Sequence, residues 1–170
     1  MSKIHKATVQ DVQQIQRIAK TTWPVAFRDI LSQHQLDYMM RMMYNTQELT
    51  TQIERGKIIF WIAEIEQLFL GFMAYEPRVP TESEIKIHKL YILPTAQGKG
   101  VGKDLLDNLE DYGRSNGFEK LTLNVNKHNS AAINFYKMRG FEKIKDETIP
   151  IGQGYIMDDY VFSKEIQTMR

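Results

Sequence analysis

Leu90-Tyr91-Ile92-Leu93-Pro94 leads through Gln97-Gly98-Lys99-Gly100-Val101-Gly102 into a run from Lys103 to Asn116 whose apolar residues recur at helical spacing. The stretch reads as strand, glycine turn, helix. Glycines at 98, 100 and 102 allow a ligand close to the backbone, and the unpaired N–H groups that open a helix present donors and a positive dipole end to an anion. A phosphate-bearing ligand is the first expectation.

The glycine spacing narrows the class. A Walker loop would need glycine where Gln97 stands and a hydroxyl residue where Asp104 stands, so no magnesium-binding hydroxyl is supplied. That counts against a phosphate-loop nucleotidase. A dinucleotide fingerprint fails as well, because its third glycine is replaced by Lys103 or Leu105, depending on the starting glycine. The pattern that fits is Gln-x-x-Gly-x-Gly, read as Gln97, Gly100 and Gly102. Downstream lies a second ordered pattern, Asn129-Ser130-Ala131-Ala132-Ile133-Asn134-Phe135-Tyr136, followed by Gly140-Phe141. Between Glu84 and Phe141 the two together resemble the GNAT superfamily of acetyl-CoA-dependent N-acetyltransferases.

Composition is consistent with that class and excludes others. The 170 residues suffice for one domain, 1–170, that buries roughly 70% of the unfolded chain's surface. Lys plus Arg number 22 against 21 Asp plus Glu, a net charge of +1, so nucleic acid is not an expected partner. There is no cysteine, hence no disulfide framework, thiolate nucleophile or thiolate zinc site. The histidines lack metal-ligand spacing, and no metal is expected. No apolar signal-peptide core opens the chain and no run approaches the roughly 20 residues of a membrane span, so a cytoplasmic protein without membrane partners is expected.

Outside the glycine turn the elements follow from periodicity. Ile4, Lys6 and Thr8 suggest a first strand, and Thr8 with Asp11 a capping box before a helix bearing Val12, Ile15, Ile18 and Ala19 on one face. Trp23-Pro24 should end it. Gln33 to Arg55 is helical by composition, with Thr46 as a cap and Gly56 as a stop. Lys57–Ile65 and Leu68–Tyr75 form a hairpin about Glu66-Gln67; Glu84–Leu93, 119–125, 141–148 and 154–165 supply further strands, and 129–139 another helix. The resemblance implies an α/β GNAT fold, a mixed, mostly antiparallel sheet of six to seven strands flanked by about four helices.

The resemblance also implies roles. A neutral amine attacks the acetyl thioester directly in a ternary complex, and the protein stabilises the oxyanion, removes a proton from the amine and protonates the leaving thiolate. Leu90, Tyr91 and Ile92 would pair through their backbone with the pantetheine arm. Gln97, Gly98, Lys99, Gly100, Val101, Gly102 and Lys103 would cradle the pyrophosphate, while Asn129 and Phe135 would complete the cofactor site. Tyr136 corresponds to the family's proton donor to the thiolate. Period-two alternation puts Glu84, Lys86, His88, Leu90 and Ile92 on one strand face, so either His88 or Glu84 is the candidate base. For the acceptor pocket, Trp23, Phe27 and Tyr38 are aromatic candidates, and Asp158 or Asp159 could face a cation.

The expected activity is acetyl transfer from acetyl-CoA to a primary amine of a small molecule. The N-terminal lobe and the tail loosely resemble bacterial polyamine N-acetyltransferases. A non-catalytic acyl-CoA-binding or sensing module, and acetylation of a protein N-terminus, are the alternatives. A monomer or homodimer is expected.

Overall fold

The computed structural model describes residues 1–167; the last three of the 170 assigned to the domain lie outside it. The chain runs β1 (Lys3–Lys6), a 3-10 turn (Val9–Asp11), α1 (Val12–Ala26), α2 (Gln33–Tyr44), α3 (Thr46–Arg55), β2 (Ile59–Ile65), β3 (Leu68–Pro77) and β4 (Glu84–Ile92). After a second 3-10 turn (Pro94–Ala96) come α4 (Val101–Ser115), β5 (Lys120–Asn126), α5 (Ser130–Met138), β6 (Glu142–Gly152) and β7 (Tyr155–Glu165). The strands form one sheet in the order β1-β2-β3-β4-β5-β7-β6, antiparallel except for β4 against β5.

Strand alternation sends aromatic residues to both faces of this sheet. On one, Phe72 and Tyr91 meet Trp23 of α1 and Tyr44 of α2, with Tyr91 5.6 Å from Trp23 between ring centroids. On the other, Trp61 and Tyr75 meet Tyr112 of α4, and Tyr112 stacks on Phe118. Both layers are thereby closed by large, buried, well-packed side chains.

Two helix expectations change. Pro24 does not end α1, which continues to Ala26 and is capped by Phe27 N–H on the Trp23 carbonyl at 2.9 Å. Pro24 and Lys20 both lie on the exposed side, where water can take the Lys20 carbonyl that proline leaves without a donor. Gln33 to Arg55 is two helices, because Asn45 adopts extended backbone and its side chain accepts from Glu48 N–H at 2.8 Å; Asn45, not Thr46, is the cap. Five α-helices thus flank the sheet among the described residues. None is long and apolar enough to cross a membrane.

The feature that positions the site is a bulge in β4. Ala74 pairs with Lys89 and Tyr75 with Ile87, which leaves His88 as the extra residue. The strand face therefore switches at His88. Ile85 approaches Gly113 of α4 and Ile92 approaches Gly102 of α4, although the two isoleucines are an odd number of residues apart. The expectation that Glu84, His88, Leu90 and Ile92 share one face is corrected accordingly: past the bulge, Lys89 and Tyr91 take the α1–α2 side and Ile92 the α4 side. β4 also parts from β5. Their parallel pairing ends at Ile87 and Leu123, after which β4 is held by β3 alone and β5 by β7.

Gly71 of β3 lies under this departure. A Cβ there would come within 3.0 Å of the Tyr91 carbonyl oxygen and 2.5 Å of Ile92 Cδ1. Gly71→Ala is expected to cost about 1–3 kcal/mol through overpacking, read from urea denaturation midpoints. An unchanged midpoint would show that β4 can yield at Tyr91.

Candidate active site

The parting strands open a cleft of about 1210 Å³ between α1–α3 on one side and α4–α5 on the other. Its wall includes Leu90, Tyr91 and Ile92, whose outer backbone edge has no strand partner among the described residues. An extended chain of amides could add to that edge as a further strand.

The glycine turn forms one end. Gly98 and Gly100 have φ of +82° and +79°, and a Cβ at either would meet nothing within 4 Å. Glycine is needed there for backbone conformation and leaves open space against the turn. The first intrahelical bond of α4 runs from Asp104 N–H to the Gly100 carbonyl at 2.9 Å, so the amides of Val101, Gly102 and Lys103 remain free for an anion. Gly102 is needed for a different reason: its Cβ would stand 3.1 Å from the Phe135 ring, which packs over the helix start. These features fit a pyrophosphate.

Gln97, Gly98, Gly100, Val101, Gly102, Lys103, Asn129 and Phe135 all line the cleft. Lys99 does not, and Lys103 is already paired with Asp107 at 2.6 Å. A cation that the sequence reading missed is Arg139, which lines the cleft over Phe135 with its buried Nε lacking a hydrogen-bond partner among the described residues. Its position in the Tyr136-to-Gly140 stretch was the available signal. Asn129 caps α5, accepting from Ala132 N–H at 3.2 Å.

Tyr136 lines the cleft from the last turn of α5 with 8% of its surface exposed. Burial pushes its hydroxyl well above the usual phenol value, so it keeps its proton. Tyr91 is shifted the same way, first by burial and then by Tyr136 and Asp159, which line the same cleft.

His88 also lines the cleft, with Nε2 3.2 Å from a Glu76 carboxylate oxygen. Partial burial is the largest influence and lowers its pKa, against the raising effect of the Glu76 hydrogen bond. Glu84 lies outside the cleft, at the far end of β4 where it pairs with Lys120.

Trp23 and Phe27 form an apolar wall, with ring centroids 5.0 Å apart. Tyr38 and Asp158 do not reach the cleft. The Tyr38 hydroxyl donates to the Ile151 carbonyl at 2.6 Å and its ring packs on Tyr155, clasping α2 to the β6–β7 turn. Asp158 pairs with Lys127 at 2.9 Å and accepts from Thr148. Its neighbour Asp159 is the acid that enters the cleft, 1% exposed, with its pKa raised mainly by burial. Asn124 donates to both Asp159, at 3.3 Å, and Glu147, at 3.0 Å. The signal for choosing Asp159 was its period-two relation to buried Val161.

Comparison with known proteins agrees with this architecture. A sequence model of the Acetyltransferase (GNAT) family matches residues 12–141. The spermidine N(1)-acetyltransferase of Thermoplasma acidophilum is 26% identical over 160 residues, covering 92% of this chain and 95% of that protein. The uncharacterized N-acetyltransferase YhfO of Bacillus subtilis is 30% identical over 132 residues, 75% of this chain and 89% of its own. Among solved structures, the PaiA N-acetyltransferase from Thermoplasma acidophilum in complex with coenzyme A superposes with a TM-score of 0.82 at 22% identity, over 97% of this chain and 99% of that one. A strand order that parts at β4 and β5, a glycine turn opening α4, and a family match across most of the length lead to one conclusion: the chain belongs to the GNAT family and is an N-acetyltransferase.

Proposed function

We propose that this enzyme transfers acetyl from acetyl-CoA to a primary amine of a small, aliphatic, polyamine-like molecule. The observation that carries the reading is the meeting, in one cleft, of the unpaired Leu90–Ile92 edge, the protonated Tyr136 hydroxyl and the buried Asp159 carboxylate. The spermidine-acetylating relative supports an aliphatic amine.

In this reading the β4 edge aligns the donor arm and its free amides polarise the thioester oxygen. Asp159, desolvated and close to Tyr91 and Tyr136, draws the acceptor's ammonium end to the parting of the strands. His88, neutral and braced by Glu76, takes the proton that the ammonium must lose, through water. Tyr136 supplies the proton that the leaving thiolate takes up. Trp23 and Phe27 exclude solvent from the apolar wall.

A panel of amines assayed by thiol release tests the proposal. Turnover of short aliphatic amines is expected; turnover confined to peptides with a free N-terminus would replace the small-molecule acceptor. His88→Gln tests the base and is expected to cost roughly 10- to 100-fold in kcat/KM at neutral pH. Because the acceptor amine has a pKa of about 10, the deficit should shrink near pH 9, where more acceptor is already deprotonated. The lowered pKa also puts the wild-type acid limb due to His88 below the ordinary histidine range. An equal deficit at every pH would move the base to Asp159.

A further inference from the structure

Lys89 follows the β4 bulge and lines the cleft, yet only 7% of its surface is exposed. Buried lysines are normally paired. This one makes no ion pair or hydrogen bond among the described residues; its Nζ lies 4.8 Å from the centroid of the Tyr44 ring and 5.4 Å from that of Phe60. Two aromatic faces soften the loss of hydration but supply no counter-charge. Burial lowers the ammonium to about 8, with the carboxylate of Glu48 opposing the shift. Glu48 lines the same cleft and accepts from Gln52 at 2.8 Å. Met43 and Ile58 add apolar wall to that cleft. A purely structural role would be served as well by methionine, without an isolated charge.

A buried cation and a nearby acid form a complementary pair for a group bearing both charges. Lys89 is also adjacent in sequence to Leu90, where the unpaired edge of β4 begins, so the buried ammonium and that edge are presented by neighbouring residues. Building on the acetyl-transfer reading above, we propose that Lys89 holds a carboxylate of the acceptor while Glu48 faces its α-ammonium group. Within the polyamine-like class, the preferred acceptor is then an α,ω-diamino acid, whose distal amine reaches the strand parting, ahead of the diamine that lacks the carboxylate. A plain polyamine would satisfy Glu48 but leave the Lys89 ammonium without a counter-charge.

Paired acceptors that differ only by the carboxylate test this: ornithine against putrescine, and lysine against cadaverine. The wild-type enzyme is expected to favour the amino acid of each pair by roughly 10- to 100-fold in kcat/KM, chiefly through KM. Lys89→Met should collapse that ratio towards one. Binding gives a readout without turnover. Norleucine carries the head group but no distal amine, and by calorimetry with coenzyme A present it should bind the wild type at least about 10-fold more tightly than Lys89→Met. A wild type that prefers the diamines or does not bind norleucine overturns the proposal, as does a variant that keeps the ratio or the affinity. Failure of every small amine to turn over would instead sink the acetyl-transfer reading, while norleucine binding would still decide the role of Lys89.

Discussion

The Tyr136→Phe variant is expected to turn over roughly 10²-fold more slowly than the parent while binding coenzyme A about equally well. The ring is held between Phe135 and Phe141, with centroids at 5.4 and 5.5 Å, and phenylalanine preserves both contacts. The backbone is also unaffected: the Tyr136 carbonyl accepts from Phe141 N–H at 3.0 Å, a bond that joins α5 to the strand that follows. Only the hydroxyl is removed. Because burial holds that hydroxyl in its protonated form, it can donate throughout the working pH range. A free thiol has a pKa of about 8.5, so the departing thiolate needs the donated proton most below that value. The deficit should therefore be largest near pH 7 and narrow above pH 9, in single-turnover measurements that isolate chemistry from product release. Unchanged turnover, with chemistry shown to limit the rate, would falsify the acid role.

The parts of this site legible in the sequence are those in which local chemistry dictates local shape. Gly98 and Gly100 announce positive φ, and the apolar spacing of Val101, Leu105, Leu106 and Leu109 announces the buried face of α4, so the turn and its helix could be read without tertiary knowledge. Asn129 is legible for the same reason, as a cap. What could not be read depends on register. The bulge at His88 inserts one residue with no compositional mark, and it reverses the face of everything after it in β4. Strict alternation therefore grouped Glu84 with Leu90 and Ile92, although Glu84 sits at the far end of the strand.

The choice between Asp158 and Asp159 had the same difficulty. Adjacent strand residues face opposite ways, and pairing with β5 and β6 turned Asp158 to Lys127 and Asp159 to the cleft. Lys89 was hidden by an expectation that is ordinarily sound, that a strand lysine is solvated. Its burial arises from Tyr44 and Phe60, brought from two distant elements. Pro24 shows the converse case: a strong local signal to stop a helix was overridden because Trp23 and Phe27 on either side are both buried in the core.

For the glycine turn, Gly100→Asp is expected to weaken acetyl-CoA binding by about 10²-fold or more while leaving a folded protein. A Cβ at this position meets no described atom within 4 Å, so the loss is not expected to come from a clash at the point of attachment. Two effects remain. The φ of +79° strains any residue with a Cβ, and the new carboxylate stands at the N-terminus of α4, where the free amides would otherwise receive phosphate. The carboxylate is itself favourable to the helix dipole, which offsets part of the strain and keeps the unliganded melting temperature close to the parent's. Gly100→Ala separates the two effects, since it carries the strain without the charge.

The readout is thermal. With acetyl-CoA at 100 times the parent's Kd, the parent gains about 2.7 kcal/mol; a 100-fold weaker variant at the same concentration gains only about 0.4 kcal/mol. At roughly 2–4 °C per kcal/mol for a chain of this size, a shift of about 5–11 °C should shrink to about 1–2 °C. ATP with magnesium should raise the parent's melting temperature far less than acetyl-CoA does, because no hydroxyl follows Lys103 to hold the metal. A variant that retains the full acetyl-CoA shift would remove the pyrophosphate from the α4 turn and leave Arg139, over Phe135 on the same wall of the cleft, as the place to look for it.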